Sequence, residues 1–527
     1  MPLLKLLLIA AFFNALSWIV LIPVWQYPDE QAHFAQVQDL AELGKVPTGA
    51  PDTSYEIALS EEILATARDE FGNNKFTYHP EYKLDYSPTL YGPYEKEVSS
   101  LPKSARSQLV KNEATLNPPL YYFLASIFYR IFYDADLFTR VIAVRIMSAL
   151  IFLGTILVAF SIGKLIFEQN KILPPALAAL VAFKPMLVFA STGVLPDTLT
   201  NFLFSLILFF SLKIIKEGFK FSTLALIVLT IVLGVSTRQQ FLISVPIVLA
   251  AVLYQVFRHL SYFKWALVST AVFSIFLYFA NTTLISKPFF TNFRVPEVFD
   301  AAFLKFGPLS VTSFIKHFTW TIRHTYAEVW PWYWGVYRWL SFTLPPIYYQ
   351  VINRLVLIAL VGLIIKIFFI IKYRKFDRKD VYMFFLITAS LIYFFTLTVW
   401  DYLFWLKSGF SFGIQGRYFF PTIIPFLTLI IAGFWQIFRL LLKKYASIGI
   451  YALILFFIFF NNFSLFYVAS SYYDISNLST FIKQVSQYKP LIIKGNAISM
   501  ILFLSLTFQS IFIFSLGKYI IKRNVST

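Results

Sequence analysis

Cysteine is absent from the 527 residues, which excludes disulfides, zinc–thiolate sites and a cysteine nucleophile. Charge is sparse: Asp, Glu, Lys and Arg make up 14% of the chain, and only 27 residues are acidic. Soluble-enzyme signatures are missing as well. No P-loop, HExxH or GxSxG stands in the context its chemistry needs; "GFSFG", Gly409–Gly413, matches the last by letter alone. A nucleotide-powered reaction is not expected. No internal repeat is visible, and Pro185, Pro246 and Pro425 do not form the matched broken helices of an inverted-repeat transporter.

Apolar residues are plentiful. The chain is 58% hydrophobic and 20% aromatic, whereas soluble domains are about 45–50% apolar. Twelve runs approach the ~20 residues that cross a bilayer: Leu3–Trp25, Val141–Phe167, Leu173–Thr192, Thr198–Leu212, Phe221–Val235, Phe241–Phe257, Trp265–Ile285, Ile347–Ile371, Val381–Trp400, Tyr418–Leu440, Tyr445–Val468 and Ile498–Leu516. The first run is long for a signal sequence, and no small-x-small site follows before Pro28, so it is read as an uncleaved helix. The expected fold is an all-α polytopic membrane protein of about 12 transmembrane helices.

The net charge of +18 is assigned to cytoplasmic loops, not to nucleic-acid binding. Basic clusters lie at Lys213/Lys216/Lys220, Arg258/Lys264, Lys372–Lys379, Arg439/Lys443/Lys444 and Lys518/Lys522/Arg523. With the first helix running outward, all five fall inside if Pro118–Phe132 is not a span. Counting that segment as a span puts all five outside. The positive-inside rule selects the first option. It places both termini in the cytoplasm and Pro118–Phe132 near the outer interface of a plasma membrane.

The first outer loop then covers residues 26–140, and a second covers 286–346. Between Gln26 and Asn117 there are 15 acidic and 8 basic residues, a net of −7. "DEQAHFAQVQDLAEL" and "IALSEEILATARDEF" read as amphipathic interfacial helices. Residues 1–468 form the expected catalytic module. Residues 469–527 add an outer loop and a last span.

The outer side carries the polar motifs. In "YPDEQAHF", Asp29 and Glu30 follow Pro28 at a helix start, where proline and carboxylates are at home. Asp29 and His33 are four apart on one face. An ionised oxygen there suits a general base or a hard-cation ligand, and His33 is expected to orient Asp29. In "LNPPLYYF", Asn117 is a candidate cap and Tyr122 an interface aromatic. In "RVIAVR", Arg140 is expected to snorkel, while Arg145, deeper in, is a candidate phosphate ligand. Lys184 is deeper still. Asp197 in "VLPDT" is a possible third carboxylate, and Arg238 lies on an outer turn. "WPWYWGVYRWL" places Trp334 in an aromatic belt or a sugar- or prenyl-stacking platform. "QGRYFFP" places Arg417 and Tyr418 before a late span.

The order and sidedness of "YPDEQAHF", "NPPLYYFL", "RVIAVRIMSAL", "LPDT", "WPWYWGVYRWL" and "QGRYFFP" resemble the GT-C superfamily of integral-membrane glycosyltransferases. The likeness is strongest to a bacterial branch filed as a domain-of-unknown-function family. Protein O-mannosyltransferases, lipid A aminoarabinose transferases and oligosaccharyltransferases belong to the same superfamily. The resemblance covers roughly Val24 to Pro421. It implies a polyprenyl-phosphate sugar as donor, and transfer on the outer face to a glycan, lipid or protein acceptor in the cell envelope. It also implies Asp29 or Glu30 as the first-loop acid and Asp197 as the second. Relatives in the aminoarabinose group carry lysine before the paired prolines where Asn117 stands, so Arg145, Arg238 or Arg417 would have to meet the donor phosphate. The expected chemistry is inverting, with Asp29 as base and Asp197 orienting the acceptor or sharing a divalent cation, Mg or Mn, with Asp29. The rival readings are a transporter or flippase of lipid-linked sugars and a non-catalytic assembly factor.

Overall fold

The structure is a computed structural model that describes residues 2–45, 52–112, 117–258 and 310–525. It is almost wholly helical. Among the described residues, nine helices are long and apolar enough to cross a membrane. A pair of helices bent by 60°, Leu173–Ala182 and Pro185–Thr192, makes a tenth if it is counted as one span. These, with the shorter apolar helix Phe221–Val235, account for eleven of the twelve expected runs. Trp265–Ile285 lies outside the described residues.

The chain divides into two compact units. The first comprises residues 1–202, 334–375 and 427–527; the second comprises 203–333 and 376–426. In the first unit, α1 (Pro2–Leu21) is the opening span and packs against the last helix, Asn496–Val525. The following loop folds into α2 (Glu30–Leu43), α3 (Tyr55–Ile63), α4 (Pro88–Ser99) and α5 (Leu120–Ile131), with a two-stranded antiparallel ribbon of β1 (Asp52–Ser54) and β2 (Leu109–Asn112). The long span α6 (Leu137–Ile166) starts at Asp136, whose carboxylate accepts from the Thr139 N–H at 2.8 Å. Next come α7 (Leu173–Ala182) and α8 (Pro185–Thr192). Pro185 cannot supply the N–H that would continue α7, so the span breaks at Phe183–Lys184.

α2 does not keep one polar face exposed as its amphipathic pattern suggests. Its polar residues Gln31, His33, Gln36 and Gln38 are buried along with Phe34 and Val37. The rest of the loop supplies hydrogen-bond partners to the amide nitrogens of Gln31, Gln36 and Gln38 and to His33. α3 is likewise short, ending at Ile63. The outward apolar stripe belongs to α5, where Phe123, Ile127 and Ile131 are exposed four residues apart while Tyr121, Tyr122 and Tyr129 are buried. At 12 residues, about 18 Å long, α5 is too short to span but suits the acyl boundary.

In the second unit, the span Arg378–Ser408 opens with a reciprocal capping box of Asp377 and Asp380 and stops at Gly409, φ 82°. Val311–His324 in the same unit is amphipathic, and its His317 Nε2 lies 3.0 Å from the buried Asp401 carboxylate.

Candidate active site

α1 ends at Leu21, and a turn carries the chain to α2. Two residues of that turn, Trp25 (φ 64°) and Asp29 (φ 54°), hold left-handed backbone that non-glycine residues rarely adopt. Such conformations persist where the surroundings impose them, and several contacts do so here. The Trp25 N–H donates to Glu30 Oε2 at 3.0 Å, and its indole N–H donates to Ser60 Oγ at 2.9 Å. The Trp25 carbonyl accepts from the Trp339 indole at 3.0 Å.

The two adjacent carboxylates have different fates. Glu30 is fully buried and forms a two-pronged pair with Arg145: Nε to Oε1 at 2.8 Å and Nη2 to Oε2 at 2.6 Å. With the Trp25 N–H, the Val194 N–H at 3.2 Å brings the carboxylate's hydrogen bonds to four. Arg145 also donates to the carbonyls of Ile19, Ile22 and Pro23, and its guanidinium lies 4.6 Å from the centre of the Tyr27 ring. All five of its N–H groups meet protein acceptors, leaving none for a lipid phosphate, contrary to the expectation from its depth. Arg140 does not snorkel: it is buried and paired with Glu56 at 2.8 Å, its guanidinium also donating to Tyr129. Both arginines of "RVIAVR" therefore tie α6 to the first loop.

Asp29 occupies the N-cap position of α2, yet its side chain makes no capping hydrogen bond. Its carboxylate pairs instead with Arg68 at 3.3 Å and stays about one-third exposed, at 34%. His33, buried one turn on, shares a 2.8 Å hydrogen bond with the Tyr122 hydroxyl. Gln36 donates to the Asn117 carbonyl at 2.9 Å. Asn117 is not the cap of α5, which begins three residues later behind Pro119. Tyr121, beside Tyr122, hydrogen-bonds Ser148 at 2.9 Å. Burial raises its phenol, and the charges of Glu30 and Asp197 add to the rise. Asp197 is therefore close enough to Tyr121 to act on it. It opens α9 (Asp197–Glu217) and is 8% exposed.

Lys184 sits at the break in the bent span, fully buried, with its ammonium 4.7 Å from the centre of the Trp334 ring. Trp334 packs edgewise on Phe457, so it faces the protein interior and not an open sugar platform. The remaining candidates, Arg238, Arg417 and Tyr418, belong to the second unit. Arg238 caps a short 3₁₀ turn, Gln239–Ile243. Arg417 is buried in the turn Gly416–Thr422 with its guanidinium 5.6 Å from the Tyr418 ring, and the Tyr418 carbonyl accepts from Tyr393 at 2.8 Å. Among the described residues, no group of three or more His, Asp or Glu side chains converges as a metal site.

Sequence reading missed Arg68, Glu56 and Lys489. Arg68 sits 39 residues from Asp29 on an irregular stretch, where no periodicity points to a partner. Acidic residues are numerous in the loop, and nothing local marks Glu56 as the one that meets Arg140.

The profile of the family described as "Predicted membrane protein (DUF2142)" matches residues 12–427. No curated protein matches. Among solved structures, the archaeal oligosaccharyltransferase AglB from Archaeoglobus fulgidus, in complex with an inhibitory peptide and a dolichol-phosphate, is similar at 14% identity and a TM-score of 0.43, over 91% of this chain and 57% of that one. ArnT from Cupriavidus metallidurans, bound to undecaprenyl phosphate, is similar at 11% identity and a TM-score of 0.34, over 94% of this chain and 76% of that one. The chain thus spans a little over half the length of the oligosaccharyltransferase.

Proposed function

The chain belongs to the DUF2142 family of membrane proteins, and we propose that it is a glycosyltransferase drawing on a polyprenyl-phosphate-linked sugar at the outer face of the membrane. The observation that carries this reading is the contrast at the head of the first loop. Glu30 is locked into structure by Arg145. Asp29 makes no capping hydrogen bond and is not fully buried, and its strained backbone holds a carboxylate toward Arg68 and solvent. The ordered motifs from Val24 to Pro421 support the same assignment.

In the proposed reaction, the acceptor hydroxyl oxygen attacks the anomeric carbon as the carbon–oxygen bond to phosphate breaks. The electron pair leaves with the prenyl phosphate, and the hydroxyl proton passes to Asp29, inverting the centre. Arg68 orients Asp29, Asp197 orients the acceptor, and Glu30 with Arg145 keeps the turn in place. Arg145 is fully engaged, so the charge that the leaving phosphate demands comes from another cation, and the notable arginines left from the sequence are Arg238 and Arg417. Trp334 and His33 act by holding Lys184 and Tyr122. No step is routed through a divalent ion.

The test is transfer of label from a radiolabelled prenyl-phosphate sugar pool by protein reconstituted in liposomes. Asp29→Asn should lower transfer ~10²–10⁴-fold, the usual worth of a general base, with folding intact. Undiminished transfer by the folded variant would overturn the assignment. The 60° break beside buried Lys184 favours one second reading, a flippase of lipid-linked sugars. Label crossing the bilayer without reaching any acceptor would support that instead.

A further inference from the structure

Lys489 lies between the helices Ala446–Tyr472 and Asn496–Val525, outside the stretch matched by the family profile. It is 1% exposed. Its ammonium donates to the Ile22 carbonyl at 3.3 Å, the same oxygen that accepts from Arg145 Nη1 at 2.9 Å. Two cations therefore converge on one carbonyl at the exit of α1. The charged groups that act on Lys489 are Arg145 on α6, Glu30 at the start of α2 and Glu95 on α4. Both carboxylates already have partners: Arg145 holds Glu30, and Lys494 holds Glu95 at 2.5 Å. Lys489 makes no ion pair of its own among the described residues.

A buried ammonium without its own carboxylate is costly, and such a group tends to lose its proton. Burial, reinforced by Arg145, lowers Lys489 from its ordinary 10.5 to about 7. Its charge therefore changes close to neutrality. The surrounding segment is otherwise firmly placed. Tyr472 lies 3.3 Å from the Gln26 amide oxygen, and the Tyr488 hydroxyl donates to the Tyr91 carbonyl at 3.4 Å.

We propose that Lys489 is a positioning residue for the turn that bears Asp29: neutral, it completes the support of the Ile22 carbonyl; protonated, it opposes Arg145 there and loosens the turn. The bearing of this on sugar transfer rests on the reading of Asp29 as the reactive carboxylate, but the switch can be tested without transfer. The folded state prefers neutral Lys489, whereas the unfolded chain holds the proton up to the ordinary lysine range. Stability should therefore rise with pH between about 7 and 10, the unfolding equilibrium falling about tenfold per pH unit.

The experiment compares apparent Tm in detergent for the full-length wild type, Lys489→Met and Lys489→Arg from pH 6 to 9.5. Wild type should gain Tm above pH 7. Lys489→Met should exceed wild type at pH 6, with the difference closing as pH rises. Lys489→Arg, always charged, should lie below wild type at pH 9. A wild-type-minus-Met difference that does not change with pH would overturn the proposal, since a packing role alone predicts that. Should Lys489→Met fail to fold, amide exchange over residues 22–30 of the wild type decides: once intrinsic rates are removed, protection must be lower at pH 6.5 than at 8.5, and equal protection refutes the switch. If the Tm pattern holds while Asp29→Asn transfers normally, the switch stands and the transferase assignment falls.

Discussion

Asp29 and Glu30 are neighbours with the same functional group, and the fold gives them opposite surroundings. Removing one partner of a fully buried ion pair costs about 3–5 kcal/mol, because the other charge is left stranded. Glu30→Gln and Arg145→Met should therefore lower folded yield and Tm together. Asp29→Asn should leave Tm within a few degrees of wild type while lowering transfer ~10²–10⁴-fold. Circular dichroism melts beside the transfer assay separate the two patterns, and a Glu30→Gln protein as stable as wild type would refute the clasp. Asp39 offers a pH test in the same loop. Burial, with Asp52 nearby, raises its carboxyl from 3.8 to about 7. The folded state thus holds a proton that the unfolded state has released, so stability falls as pH rises from about 4 to 7. Asp39→Asn should raise Tm at pH 7.5 and converge with wild type near pH 4. A higher Tm for wild type at pH 7.5 would contradict this. The sequence showed Asp29, Glu30 and His33 as a group worth testing. It did not show which carboxylate was structural, because Arg145 is 115 residues from Glu30 and Arg68 is 39 from Asp29.

Between elements, close approach and buried amides hold the spans together where lipid removes the usual hydrophobic drive. The helices Pro346–Tyr373 and Ile423–Leu441 cross at Gly362 and Gly433. A Cβ on Gly433 would meet the Ala359 carbonyl oxygen at 2.0 Å, and one on Gly362 would meet that of Gly433 at 2.1 Å. Backbone cannot give way as a flexible side chain can, so Gly433→Val should force the helices apart and lower Tm sharply; an unchanged melt would exclude this crossing. α1 meets the helix Ala446–Tyr472 through Asn14 and Asn461, paired at 2.6 Å, with the Trp18 indole donating to Asn461 Oδ1 at 3.1 Å. Asn461→Leu strands both partners and should cost about 0.6–2 kcal/mol. Asn14→Leu in the same chain should restore part of that, because an apolar pair leaves one polar group fewer unpaired. Element existence was readable from apolar runs for α1, α6 and the later spans. The burial of α2 on both faces was not readable, since its amphipathic pattern suits an interface as well as a polar-lined interior.

For the whole molecule, the positive-inside rule leads to the expectation that the basic clusters face the cytoplasm. The absence of cysteine makes a direct test simple, since any introduced thiol reports without background. An impermeant maleimide should label Ser479→Cys in intact cells, and should label Lys375→Cys only after permeabilisation. The reverse pattern would invert the topology and place Asp29 on the cytoplasmic side, where the proposed outer-face transfer could not occur.

The sequence alone determined that the chain crosses a membrane many times and that a long acidic stretch opens with adjacent carboxylates. These follow from composition, run length and charge, which are local or additive properties. Tertiary structure decided what each polar group does. Arg145 closes on Glu30, Arg140 on Glu56, Arg68 on Asp29, and Lys489 reaches the Ile22 carbonyl from 467 residues away. A buried charge is tolerable only beside its partner, and which partner it meets depends on how segments distant in sequence fold back on one another.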